Sequence, residues 1–201
     1  MAKIDSLDTL LVEQLRDIYD AERRLTKAIP KMVKAATSED LCSALNNHLA
    51  ETEEQVTRLE RAFEMLGEVP SAKACAGMKG IIEEGDEHAG EDYEEDSLRD
   101  AVIIGSAQRV EHYEIAAYGT AIAHARMLGR DDVADLLDQS LTEEKAADET
   151  LSEIAETCVN VDAMSESESD DEEQAQSSQR TSSRGTAAGN GARARSSRSR
   201  K

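Results

Sequence analysis

A glutamate stands where an apolar residue is expected in the longest helical pattern of this sequence. The pattern covers residues 97–128, and its stripe advances by three or four residues, as one face of an α-helix does. Glu114 follows Glu111 three residues later, on nearly the same face. Because an unpaired carboxylate in a dry interior is very unfavourable, these acids need a cation or a proton. The members of the stripe are Ile104, Ala107, Glu111, Ile115, Tyr118 and Ile122.

The whole folded part is predicted to be all-α, since Ala, Glu and Leu abound and alternating β-branched runs are absent from the sequence. Residues 68–96 are too long for a tight turn and include a short helical pattern over 73–84, which Gly85 is expected to end. Pro30 is expected to kink or loosen the end of the first helix. This arrangement suits a ferritin-like antiparallel four-helix bundle with a long crossover that carries a short extra helix. The four long helices are predicted over residues 6–36, 38–66, 97–128 and 130–157.

Each of the four long helices has a carboxylate near its midpoint, and antiparallel packing brings midpoints to one level. Oxygen-rich sites with a few imidazoles suit iron or manganese. A single misplaced glutamate is more commonly a flank residue that extends to solvent, and His48 alone fits a hydrogen-bonded core histidine equally well. Four helices with acids at the same height favour a metal site. The candidate ligands are Glu22, His48, Glu51, Glu54, Glu111, Glu114, Glu144 and Asp148.

The formal net charge of the chain is −20, and the predicted folded domain, residues 1–163, carries −21, because the seven basic and six acidic residues from position 165 onward sum to +1. Such a charge repels nucleic acid and anionic membranes and favours a high-salt, halophilic cytoplasm over an ordinary acidic protein. Residues 164–201 are acidic, then rich in Ser and Arg, and are expected to be disordered. This tail lacks interleaved aromatic residues, so we do not expect it to bind nucleic acid.

The cysteines Cys42, Cys75 and Cys158 are odd in number and widely spaced, which fits reduced thiols rather than a disulfide framework. The first residues have no apolar signal segment, and no apolar run reaches the length of a membrane span. We therefore expect a cytoplasmic protein that has no membrane contact.

Several segments together resemble the YciE/YciF family of ferritin-like stress proteins. They include LRDIYDAE at 15–22, HLAETEEQV at 48–56, QRVEHYEIAAYG at 108–119 and EEKAAD at 143–148. The resemblance extends over residues 5–160. It implies a ferritin-like bundle with an added short helix, usually a homodimer, and a di-iron site of the kind that ferroxidases have.

The wider rubrerythrin-like pattern consists of one Glu, then Glu-x-x-His, Glu-x-x-Glu and Glu-x-x-His. Glu22 matches the first position, and Glu111 with Glu114 matches the third in full. Glu51 and Glu144 match the second and fourth, but Glu54 and Ala147 stand where the histidines belong. His48 or Asp148 are the alternative ligands.

These observations give three hypotheses for function. The first is a di-iron protein, or a di-manganese variant, that reacts with oxygen or peroxide as a ferroxidase or a peroxide-consuming stress protein. The second is a non-catalytic stress protein in which metal only holds the helices together. The third and weakest is nucleic-acid association through the tail.

Overall fold

The computed structural model describes residues 4–165, and this part of the chain contains helices and no strand. The π-helical turn Ala155–Val159 continues the last long helix, and the chain remains helical to Ser165, two residues past the predicted end of the domain. The rest of the predicted disordered tail lies outside the described residues. Within residues 4–165, no helix is long and apolar enough to cross a membrane. The helices are α1 (Leu7–Ala35), α2 (Glu39–Leu66), α3 (Ala76–Ala89), α4 (Asp96–Met127) and α5 (Asp131–Ile154).

The four long helices form a ring in which α1 and α5 each pack against both α2 and α4. At one end of the bundle His124 of α4 lies 2.7 Å from Gln14 of α1. At the other end Asp100 of α4 binds Thr37, between α1 and α2. Neighbouring helices are therefore antiparallel, and the α2–α4 connection must cross the length of the bundle. It contains α3, which packs on α4 and α1. The predicted ferritin-like bundle is confirmed.

Local sequence signals explain where several helices begin and end. Ser6 caps α1 in a reciprocal capping box, in which its hydroxyl accepts from the Thr9 amide and the Thr9 hydroxyl accepts from the Ser6 amide. Ser38 caps α2, although its bond to the Leu41 amide is long at 3.4 Å. Gly67 ends α2 with φ 75°, a left-handed conformation that glycine adopts without steric cost.

Helix α1 continues through Pro30 and ends at Ala35, within one residue of its predicted end. Other boundaries differ from the prediction, since α4 begins at Asp96 rather than at Ser97, and α5 gives way to the π-helical turn after Ile154. Helix α3 does not end at Gly85 but runs on to Ala89. A Cβ atom at Gly85 would lie 3.5 Å from the Cβ of Ser106, an ordinary van der Waals distance, so this position faces α4 inside a continuous helix and does not end it.

The apolar interior is divided into two clusters. One surrounds Leu15, Phe63 and Leu137, near the start of α1. The other surrounds Leu25 and Ile103, towards the opposite end. Between them every long helix contributes a buried polar side chain.

Candidate metal centre

We call the buried polar side chains at the middle of the bundle the central polar layer. They lie on the seam of each helix, which is the stripe of inward-facing residues spaced alternately by three and four. This spacing buries them together with the leucines and isoleucines before and after them. All are at most 6% exposed. The layer consists of Glu22 on α1, His48, Thr52 and Gln55 on α2, Glu111 and Glu114 on α4, and Glu144 on α5.

Four members of this layer converge on one point. Potential ligand atoms of His48, Glu111, Glu114 and Glu144 all lie within 4.8 Å of one another. The His48 Nε2 atom is 3.3 Å from Glu111 Oε1 and 4.0 Å from Glu144 Oε2. One imidazole and three carboxylates are thus close enough together to hold a metal ion.

Many polar atoms of the layer have no hydrogen-bond partner among residues 4–165. They include both carboxylate oxygens of Glu114, both ring nitrogens of His48, and one oxygen each of Glu22, Glu111 and Glu144. Buried polar atoms are nearly always hydrogen-bonded in folded proteins. Such a concentration of unpartnered carboxylate oxygens and imidazole nitrogens makes this group a candidate metal site.

Burial raises the pKa of Glu22, Glu111 and Glu114 well above the usual range, and the neighbouring carboxylates add to the effect. Burial also raises the pKa of Glu144, although Glu111, His48 and Gln55 act in the opposite direction. All four carboxyls therefore resist ionisation together, because several negative charges in a dry space repel one another. A cation in the layer removes this resistance.

Two side chains outside the predicted ligand set hold the carboxylates in place. The Tyr118 hydroxyl donates to Glu22 Oε1 at 2.5 Å. The Gln55 amide donates to Glu144 and, at 3.1 Å, to Glu143, which Arg58 also binds through both terminal nitrogens. Gln55 lies on the buried seam of α2, and this position was the sequence signal for its role.

Three predicted ligands lie elsewhere. Glu54 is exposed, and Glu51 lies at the rim of the layer with its side chain 43% exposed, 3.8 Å from His48 Nδ1. Both are off the seam of α2, which His48, Thr52 and Gln55 occupy. Asp148 is half-buried; it accepts from Gln108 at 3.3 Å and lies 3.5 Å from His112. Glu51, Glu54 and Asp148 therefore lie outside the four-residue group, and so does Glu22, although Glu22 is fully buried in the layer.

The chain is similar to known proteins over nearly all of the described region. A family described as a domain of unknown function (DUF892) matches residues 6–164. Protein YciF of Escherichia coli (strain K12) is 39% identical over 156 residues, which cover 77% of this chain and 93% of YciF. The similarity to YciF confirms the resemblance seen in the sequence.

Solved structures show the same relationship. The crystal structure of the E. coli stress protein YciF matches with a TM-score of 0.74, over 78% of this chain and 99% of that chain. YcfI from Rhodopseudomonas palustris, which is proposed to be a structural protein, is 48% identical, with a TM-score of 0.73 over 75% of this chain and 95% of that one. This protein therefore belongs to the DUF892 family, as a relative of YciF.

Proposed function

We propose that the protein binds two ferrous ions in the central polar layer and oxidises them. The observation that carries this proposal is the set of orphaned atoms on Glu22, His48, Glu111, Glu114 and Glu144. Iron is here the substrate of a ferroxidase. Oxygen or peroxide accepts the electrons, and manganese is the alternative metal.

Charge balance supports two ions rather than one. Glu22, Glu111, Glu114 and Glu144 carry four negative charges when ionised, and two divalent cations neutralise them. A single divalent ion would leave two carboxyls protonated or uncompensated in the interior, where charge is costly.

The donor set also favours iron or manganese over softer metals. It combines carboxylate oxygens with one imidazole, the ligands that suit hard and borderline cations. None of the three cysteines belongs to the layer. Anionic oxygen ligands stabilise the ferric ion more than the ferrous ion, because the ferric ion carries the higher charge.

The protein positions the carboxylate ligands and shields the layer from water. Tyr118 holds Glu22, Gln55 holds Glu144, and the two apolar clusters close the layer from both ends of the bundle. Partners of this kind outside the ligand set orient carboxylates and tune the affinity of a metal site.

Anaerobic titration with ferrous iron, followed by oxygen, tests the proposal. We expect two iron ions per chain and a new near-ultraviolet absorbance when oxygen is added, with both absent from the Glu111→Ala, Glu144→Ala double variant. Fewer than one iron per chain, or no faster oxidation than in buffer alone, would contradict it.

A non-catalytic structural role is the second candidate. It is favoured by the origin of the ligands, which come from all four long helices, so that a bound ion would hold the bundle together. The relative YcfI is itself proposed to be structural. In this case iron or manganese would raise the melting temperature, but oxygen would not change the oxidation state of bound iron.

The cellular setting is a further part of the proposal. Because YciF is a stress protein, we assign the oxidation of iron to a stress response, in a cytoplasmic homodimer. The net charge of −20 fits a high-salt cytoplasm. Light scattering at low and high salt tests both parts, because a monomer at high salt contradicts the dimer and an unchanged dimer at low salt contradicts the salt requirement.

A further inference from the structure

A cavity of about 160 Å³ lies beside the central polar layer, where α2, α4 and α5 meet. His48 and Glu111 form part of its wall, and Glu51 and Ala147 line it as well. Two larger cavities, of about 260 and 400 Å³, contain no member of the layer. Because the partly exposed Glu51 and the buried Glu111 both line the small cavity, it connects the candidate ligands to the surface of the protein.

The potential ligands along this cavity become steadily more buried towards the interior. The side chains of Glu51, His48 and Glu111 are 43%, 7% and 2% exposed. The imidazole of His48 links the other two, because its Nδ1 atom is 3.8 Å from Glu51 Oε2 and its Nε2 atom is 3.3 Å from Glu111 Oε1. Neither ring nitrogen has a hydrogen-bond partner among the described residues.

We propose that this cavity is the entry route for divalent cations, with Glu51 as the capturing carboxylate and His48 as the residue that passes the ion to Glu111. The inference rests on the proposed function, since it needs a layer that takes metal. It gives Glu51 a role in transfer, whereas the family pattern would make it a permanent ligand.

Two physical arguments support the route. An exposed carboxylate at the mouth of a narrow opening concentrates cations and raises their association rate. A hydrated ion that enters a dry interior must also exchange its water ligands one at a time, and successive donors less than 4 Å apart allow this exchange. Ala147 keeps the opening wide, because a larger side chain at this position would occupy the cavity.

Stopped-flow mixing with Co²⁺, an oxygen-stable probe, tests the route through the rate of metal binding rather than through oxidation. For Glu51→Gln we expect the association rate to fall roughly three- to tenfold, with the stoichiometry and final absorption spectrum of bound Co²⁺ unchanged. Ala147→Leu should slow binding by filling the cavity. Glu53→Gln, an exposed acid on the same helix, is the matched control and should bind at the wild-type rate.

Each other outcome overturns the inference in a distinct way. A Glu51→Gln rate equal to that of Glu53→Gln means that cations enter elsewhere. A lower stoichiometry or a changed Co²⁺ spectrum makes Glu51 a ligand rather than an entry residue. Failure of the wild-type protein to bind Co²⁺ overturns the metal-binding proposal itself, and the entry route with it.

Discussion

Asp100 and Glu114 are two buried carboxylates on the same helix in opposite circumstances. Asp100 accepts hydrogen bonds from the Thr37 amide at 2.9 Å, the Thr37 hydroxyl at 2.8 Å and the Ser38 amide at 2.7 Å. No hydroxyl or amide group among residues 4–165 donates to either oxygen of Glu114. The protein satisfies the first carboxylate completely and leaves the second open.

This difference separates a structural acid from a candidate ligand better than burial does, because Asp100 and Glu114 are 2% and 0% exposed. Asp100 secures the turn between α1 and α2 at the end of the bundle. Glu114 lies at the middle, where the neighbouring side chains are themselves unsatisfied. The number of carboxylate oxygens that accept no hydrogen bond is therefore more informative than the buried fraction of the side chain.

The largest expected effect is on metal binding. Replacing Glu111 and Glu144 together by alanine removes two converging ligands, so the affinity for Co²⁺ or Fe²⁺ should fall at least ~100-fold, or about 3 kcal/mol. Asp100→Asn should bind metal like the wild type. Isothermal titration under anaerobic conditions measures both, and unchanged metal uptake by the double variant would show that the ligands lie elsewhere.

Asp100, which should not matter for metal binding, is expected to matter for stability. Asp100→Ala removes an acceptor from three donors, two of them backbone amides at the α1–α2 turn, and should lower the free energy of unfolding by about 2–4 kcal/mol. Asp96→Ala, which breaks an exposed ion pair with Arg99, should cost less than about 1 kcal/mol. Urea unfolding of the metal-free proteins measures both free energies, and an equal loss in Asp100→Ala and Asp96→Ala would show that Asp100 has no special structural role.

A pH series sharpens the comparison at Glu114. Burial raises the pKa of the folded Glu114 carboxyl above that of the unfolded chain, so this group destabilises the metal-free protein progressively as the pH rises above about 4.3. Glu114→Gln should match the wild type near pH 4 and be about 1–2 kcal/mol more stable at pH 8. Thermal unfolding with a chelator checks this, and a constant difference across the range would contradict it.

The smallest effect concerns the partner of a ligand. Tyr118→Phe removes the hydrogen bond to Glu22 and should weaken metal binding about tenfold, or ~1.4 kcal/mol. Tyr113→Phe, on the same helix, is the control, because the Tyr113 hydroxyl donates to Asp17 outside the layer. Competition with a colorimetric chelator resolves a change of this size, and equal affinities for the two variants would exclude a role for Tyr118.

Seam spacing in the sequence predicted the bundle and the interior positions of Glu22, Glu111 and Glu144. The family pattern pointed to Glu51 and Glu54 on α2, but the spacing of that helix turns His48, Thr52 and Gln55 inward instead. In this helix periodicity was the better guide, because burial depends on the face of the helix and not on the motif.

Side-chain contacts between helices could not be predicted from the sequence. The bond from Tyr118 to Glu22 joins residues 96 positions apart and depends on how α4 is rotated against α1. Asp148 lies on the seam, yet its carboxylate turns to Gln108. Glu114 is fully buried although the stripe favoured Ile115, which is only partly buried.

The division of the apolar interior into two clusters has a consequence for how the protein responds to its supply of iron. Without a cation the central polar layer is the weakest section of the bundle, and each half of the molecule is stabilised only by its own apolar cluster. With metal bound as proposed, ligands from all four long helices connect the two halves. Resistance to proteolysis would then rise and fall with metal availability, so the lifetime of the molecule would itself report how much iron surrounds it.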